Sequence, residues 1–242
     1  MGFPWQLARW QRVVPGRLGA AFLLVPPILF FLPLGAFGFF TSWRQGAVAI
    51  ASLATVALAM ALGRDSGRPH PTEFWVYQKG ISLADWGFSR WLLDAALAAS
   101  VAMLWVGSWS LAAVMAGEPI SLLLVLALLL WLFSLYAMTG AILFVIGAAG
   151  SSRSTDICIL LLILAALEPV LARGLPSGVA TAAHLLLPPL LTAVNARIQL
   201  GSGETIRSVL PAFLHVGAYV AVLLSLGTFL LARRRPEEGR QD

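Results

Sequence analysis

Four carboxylates lie in or beside the apolar runs of this sequence, Asp94, Glu118, Asp156 and Glu168, and two histidines, His184 and His215, fall in its last third. A carboxylate buried in a membrane is costly and by default marks ion or proton coupling, while clustered histidines can hold a metal. Position argues against both chemistries. Glu118 and Asp156 fall in polar turns, Asp94 lies one helical turn after Arg90 and can pair with it at i,i+4, and Glu168 closes an apolar run beside Pro169, near an interface. The two histidines are 31 residues apart with no further ligand at metal spacing. Cys158 is the single cysteine, so neither an intrachain disulfide nor a cysteine metal site is open to the chain. A membrane-embedded enzyme needs convergent His, Asp, Glu or Ser groups at one depth, and the acids are scattered instead.

A second kind of chemistry is excluded by one residue. A phosphate-binding P-loop needs a lysine preceded by glycine and followed by Ser or Thr, so that backbone amides and the ammonium meet the phosphates. The one lysine of the chain is Lys79, which stands between Gln78 and Gly80. No ATP site of this kind is encoded, and energy from ATP would have to come from another polypeptide.

The elements that carry these residues are membrane spans. The chain has 242 residues, 59% hydrophobic and 11% charged, with several unbroken apolar runs. A helix of about 20 apolar residues crosses roughly 30 Å of hydrocarbon, and six such helices leave only short loops. The pI near 10.3 therefore reflects basic flanks that hold loops in the cytosol, and no nucleic-acid partner is expected. The expected spans are 18–40, 47–62, 91–116, 120–149, 157–171 and 206–232. Leu7, Trp10 and Val14 share one face before the first of them, the pattern of an interfacial helix. The first run is too long for a signal peptide and contains Pro26, Pro27 and Pro33, so it is read as a retained span. The fourth is long enough to require tilt or a bend near Gly140.

Two stretches between spans are unlike ordinary loops. In residues 72–91 the residues Phe74, Tyr77, Ile81, Ala84, Phe88 and Trp91 recur at helical spacing, with Gln78, Ser82, Asp85 and Ser89 on a neighbouring stripe. Gly80 should break this segment, and Ser82 with Asp85 three residues on reads as a fresh N-cap, giving two short helices with a joint. Residues 173–206 contain 180–187, Pro188-Pro189 and 190–194, too short to cross a membrane but apolar enough to re-enter it. With both termini in the cytosol, twelve of the sixteen basic residues are cytosolic, and Arg44, Arg173, Arg197 and Arg207 face outward. That arrangement puts 72–91 inside and 173–206 outside.

This layout resembles the membrane subunit of type 2 ABC exporters: six spans, an interfacial N-terminal helix, an amphipathic cytosolic loop after span two and a re-entrant outer segment before span six. That family looks like a glutamate, an amphipathic turn, a Pro-(Ile or Val)-Ser step and then a small residue with Lys or Arg. Here Glu73 is followed by Gly80-Ile81-Ser82 and by Ser89-Arg90, with Gly80 in place of the proline. The resemblance implies an all-α integral membrane permease, one domain over 1–242, multi-pass in the cytoplasmic membrane and without ATPase activity of its own. It implies a coupling helix on Glu73, Trp75, Gln78, Lys79, Gly80, Ile81 and Ser82 that docks on an ATP-binding cassette ATPase subunit. It implies a cap on the path from the outer segment, including His184, Pro188, Pro189 and Asn195. The chain would hold no cofactor, with ATP on the partner subunit, and would pair as a homodimer or heterodimer of permeases. Other readings are a haem exporter-type permease of cytochrome c maturation, a non-transporting membrane scaffold and a membrane-embedded enzyme.

Overall fold

The computed structural model describes residues 31–37, 40–63, 76, 78–174 and 176–233. The helices among them are α1 (Leu32–Ala36), α2 (Phe40–Gly63), α3 (Leu83–Met115), α4 (Leu122–Ala148), α5 (Ser154–Ala172), α6 (Ser177–Leu186), α7 (Leu190–Gly201) and α8 (Ile206–Arg233). No strand is found among the described residues. Among the described residues four helices, in α2, α3, α4 and α8, are long and apolar enough to cross a membrane, and the bent pair α6 and α7 makes a fifth if counted as one span. The expected interfacial helix and most of the first expected span lie outside the described residues.

Helix α4 is the centre of the bundle and touches α2, α3, α5, α7 and α8. Its composition allows that position, because a helix apolar on every side has no face for water and can meet other helices or lipid all round. Residues 134–144 form an unbroken buried run within it. The helix is continuous through Gly140, where the missing side chain leaves room for Trp91, whose Nε1 would stand 3.2 Å from a Cβ at that position. Close approach recurs at Phe144, which is fully buried between Gly87 of α3 and Gly227 of α8. Small residues at helix crossings let backbones approach, which is how helices gain packing where lipid offers no hydrophobic drive.

Two boundaries differ from the sequence reading. Helix α2 is 24 residues long, where an apolar run of 47–62 had been expected. More consequentially, α3 starts at Leu83 and runs 33 residues without interruption. The second short helix of the 72–91 segment is thus the lower part of the third span. Asp94, close to the start of the expected span 91–116, lies eleven residues into α3 and is fully buried.

Ser121 caps α4 by accepting a hydrogen bond from the Leu124 N–H at 3.1 Å. Asp156, expected in a turn, sits in the first turn of α5, where a carboxylate meets the positive end of the helix dipole. Helices α6 and α7 meet at 74° across the break at residues 187–189. Pro188 and Pro189 lie at that break and are buried. A proline cannot continue the helix that precedes it, so the chain turns there.

Candidate functional site

The joint in the 72–91 segment forms from local chemistry. Val76 is fully buried and belongs to a helical turn that ends at Gln78. The carbonyl of Val76 accepts from the N–H groups of Lys79 and Ile81, each at 3.2 Å, and Gly80 between them has φ +73°. The bond from Ile81 back to Val76, with a left-handed glycine one residue before the donor, is the Schellman stop of a helix. The next helix then starts immediately. Ser82 is extended, and its Oγ accepts from the Asp85 N–H at 3.0 Å.

Around this joint Gln78, Lys79, Gly80 and Ser82 are exposed, and Ile81 is half-buried. Glu73 and Trp75 lie outside the described residues, as do Phe74 and Tyr77. Beyond the joint, the buried face differs from the expected stripe. Leu83, Trp86, Gly87, Arg90, Trp91 and Asp94 are buried, whereas Phe88 is exposed. Arg90, expected among the cytosolic basic residues and as an i,i+4 partner of Asp94, is 6% exposed, with its guanidinium 4.9 Å from the centre of the Trp86 ring. A guanidinium over an indole face keeps much of its stabilisation when water is removed.

At the bend between α6 and α7 the structure brings together residues that the sequence holds apart. His184 Nδ1 lies 3.0 Å from Glu168 Oε1, which ties α6 to α5. The His184 ring also lies 5.6 Å from that of His215 on α8, tilted by 56°. Spacing had set these histidines far apart, and only the fold-back of α6 places them together. No three His, Cys, Asp or Glu side chains among the described residues are arranged to hold a metal ion. Asn195 is exposed on α7, between the buried residues Ala193 and Ala196.

A further cluster had no sequence signal beyond one arginine counted as outward-facing. Trp131 on α4 donates from Nε1 to Ser52 Oγ on α2 at 2.8 Å, and Ser52 in turn donates to the Val48 carbonyl at 2.8 Å. The guanidinium of Arg197 on α7 lies 5.7 Å from the centre of the Trp131 ring. An indole held by its N–H thus presents its face to a cation.

No family model, curated protein or solved structure matches the chain.

Proposed function

We propose that the chain is the membrane-spanning permease subunit of an ATP-binding cassette transporter of the exporter type. Two copies, or one copy with a related partner, line a path across the cytoplasmic membrane, and a separate ATPase subunit supplies the energy. In this reading both termini and the Gly80 joint are cytosolic, and α6 and α7 lie on the outer side as a re-entrant cap.

The observation that supports it best is the joint itself. Exposed Gln78, Lys79 and Gly80 stand directly before α3, a continuous helix about 50 Å long at 1.5 Å per residue. The first turns of that helix are locked to the core by Trp86, Gly87 and Trp91. A displacement at the joint would therefore be carried along a rigid element to the far end of the bundle. An ordinary interfacial loop needs neither a stiff continuation nor a polar face turned away from the core. The substitution of Gly80 for the proline of the resembled pattern keeps a break at the same place by a different backbone conformation.

The test is recovery of a cytosolic ATPase subunit with the tagged permease. Trp75→Ala should lower recovery, since a buried aromatic at the centre of an interface commonly contributes about 2 kcal/mol, roughly thirty-fold in affinity. Lys79→Ala should act much less, as a rim charge does. A segment merely resting on anionic lipid predicts the reverse order. Wild-type recovery with Trp75→Ala, at unchanged membrane level, would sink the docking reading.

A further inference from the structure

A cavity of 280 Å³ lies where α7 meets α2, α3 and α4, at the end of the bundle where α3 stops and α4 begins. Val48, Trp109, Leu124 and Leu128 form its apolar walls, and Gln45 and Arg197 bring polar groups to it. Arg197 is the cation of this space among the described residues. Its Nε is buried without a hydrogen-bond partner among the described residues, and no carboxylate among them lies within ion-pair distance of it. Glu204, the acid nearest to it in sequence, instead accepts from Ser208 Oγ at 3.0 Å.

Such a charge is not self-sufficient. A guanidinium stays protonated under all ordinary conditions, and carrying it into apolar surroundings without an anion is costly. The Trp131 face offsets part of that cost and fixes the position of the group, because the indole is itself held by Ser52. Trp131 cannot supply a negative charge. Arg197 is half-buried and no described carboxylate meets it, which leaves its fork open to an anion, and the apolar walls suit something besides charge. The volume is at the small end for ligand sites, enough for one headgroup and the first carbons attached to it.

We propose that Arg197 and the cavity beside it form a binding site for the anionic headgroup of an amphiphile, a phosphate or carboxylate attached to an apolar chain. The guanidinium fork meets the anion, Trp131 backs the fork, and Val48, Leu124 and Leu128 take the first part of the apolar chain. The site stands on α2, α4 and α7 and requires no ATPase, so its test is separate from that of the coupling joint.

Full-length protein in neutral detergent is titrated with short-chain phosphatidic acid, with phosphatidylcholine of the same chain length and with inorganic phosphate. Bound species are counted by native mass spectrometry and thermal unfolding is followed in parallel. Phosphatidic acid should bind at least ten-fold more tightly than phosphatidylcholine and raise the unfolding temperature, as any ligand of the native state does. Arg197→Gln should abolish that preference, and Arg197→Lys should keep part of it, since charge remains but the planar fork is lost. Arg197→Gln breaks no ion pair with a described residue, so it should still fold. Ile198→Trp is the second variant: Ile198 lines the cavity and is 54% exposed, so a larger side chain can narrow the space without disturbing the core. It should weaken phosphatidic acid binding while leaving Arg197 in place. Equal binding of phosphatidic acid by wild type and Arg197→Gln would overturn the site. Displacement by inorganic phosphate at the same concentration would overturn the amphiphile and leave a site for the free anion.

Discussion

His184 Nδ1 stands 3.0 Å from Glu168 Oε1, although sixteen residues and a turn of chain separate the two. This contact is a polar tie between the C-terminal end of α5 and the α6 helix, which itself has no buried residue. A helix with so little buried surface depends on such ties for its position, and is expected to open before the rest of the fold. Glu168→Ala should raise hydrogen exchange through α6 several-fold while leaving α4 unchanged. Because the His184 side chain is 51% exposed, the loss in global stability should stay below about 1 kcal/mol. Glu168→Gln, which keeps an acceptor, should sit between wild type and Glu168→Ala; unchanged α6 exchange in Glu168→Ala would show that the contact does not hold the helix.

Gly80 carries the second expectation. With φ +73°, alanine there suffers the left-handed penalty of about 1 to 2 kcal/mol, and nothing lies within 4 Å of a Cβ, so the whole effect is backbone strain. Proline, with φ fixed near −65°, cannot take this conformation at all. Gly80→Pro should therefore abolish protection of the Ile81 amide, which donates to Val76, and Gly80→Asn should be nearer wild type than Gly80→Ala. Hydrogen exchange resolved at Ile81 decides it. An undisturbed Ile81 amide in Gly80→Pro would mean that the turn is not of this type.

The same residue explains what was and was not legible in the sequence. The break at Gly80, the Ser82 cap and the break at Pro188-Pro189 are local decisions, written in residues that act on their own backbone. The buried face after the break was misjudged because the stripe from Phe74 to Trp91 was counted in one helical phase across the expected joint. A left-handed residue resets the helical phase, so positions beyond Ser82 belong to a new count that buries Leu83, Trp86 and Arg90 and exposes Phe88. Polar residues in that stretch hid the true start of α3. Asp85, Ser89 and Arg90 read as surface, yet Ser89 and Arg90 are covered by tertiary packing, which no local pattern announces. The meeting of Glu168, His184 and His215, and that of Arg197 with Trp131, likewise depend on how α6 and α7 fold back.

Phe144 supplies a test of the packing at the core. A Cβ on Gly227 would stand 2.5 Å from Phe144 Cδ1 and 2.6 Å from Cε1, and the ring is fully buried with Gly87 on another side. The ring has no room to move away. Gly227→Ala should cost about 1 to 3 kcal/mol by overpacking. Phe144→Leu alone leaves a gap and should also destabilise. Combined, each relieves the other, so thermal unfolding of the purified protein should show the double variant to be more stable than the two single losses added together. Strict additivity would mean that the ring and the glycine do not meet.

The last expectation concerns which side of the membrane each end of the bundle faces. The charge split of twelve basic residues against four favours cytosolic termini, because short loops rich in Lys and Arg are retained. Ser177, at the start of α6, should then be external, and a position after Arg240 should be internal. The protein suits cysteine labelling without prior engineering: its one native thiol, Cys158, is fully buried, and should stay silent to a charged maleimide. In intact cells Ser177→Cys should react with the impermeant reagent, and a cysteine introduced after Arg240 should react only once the membrane is opened. Ser177→Cys is also a mild change, since the residue is exposed and its side chain caps nothing. The inverse labelling pattern would place Gln78 and Lys79 outside the cell, out of reach of any cytosolic ATPase, and would end the permease reading together with the topology.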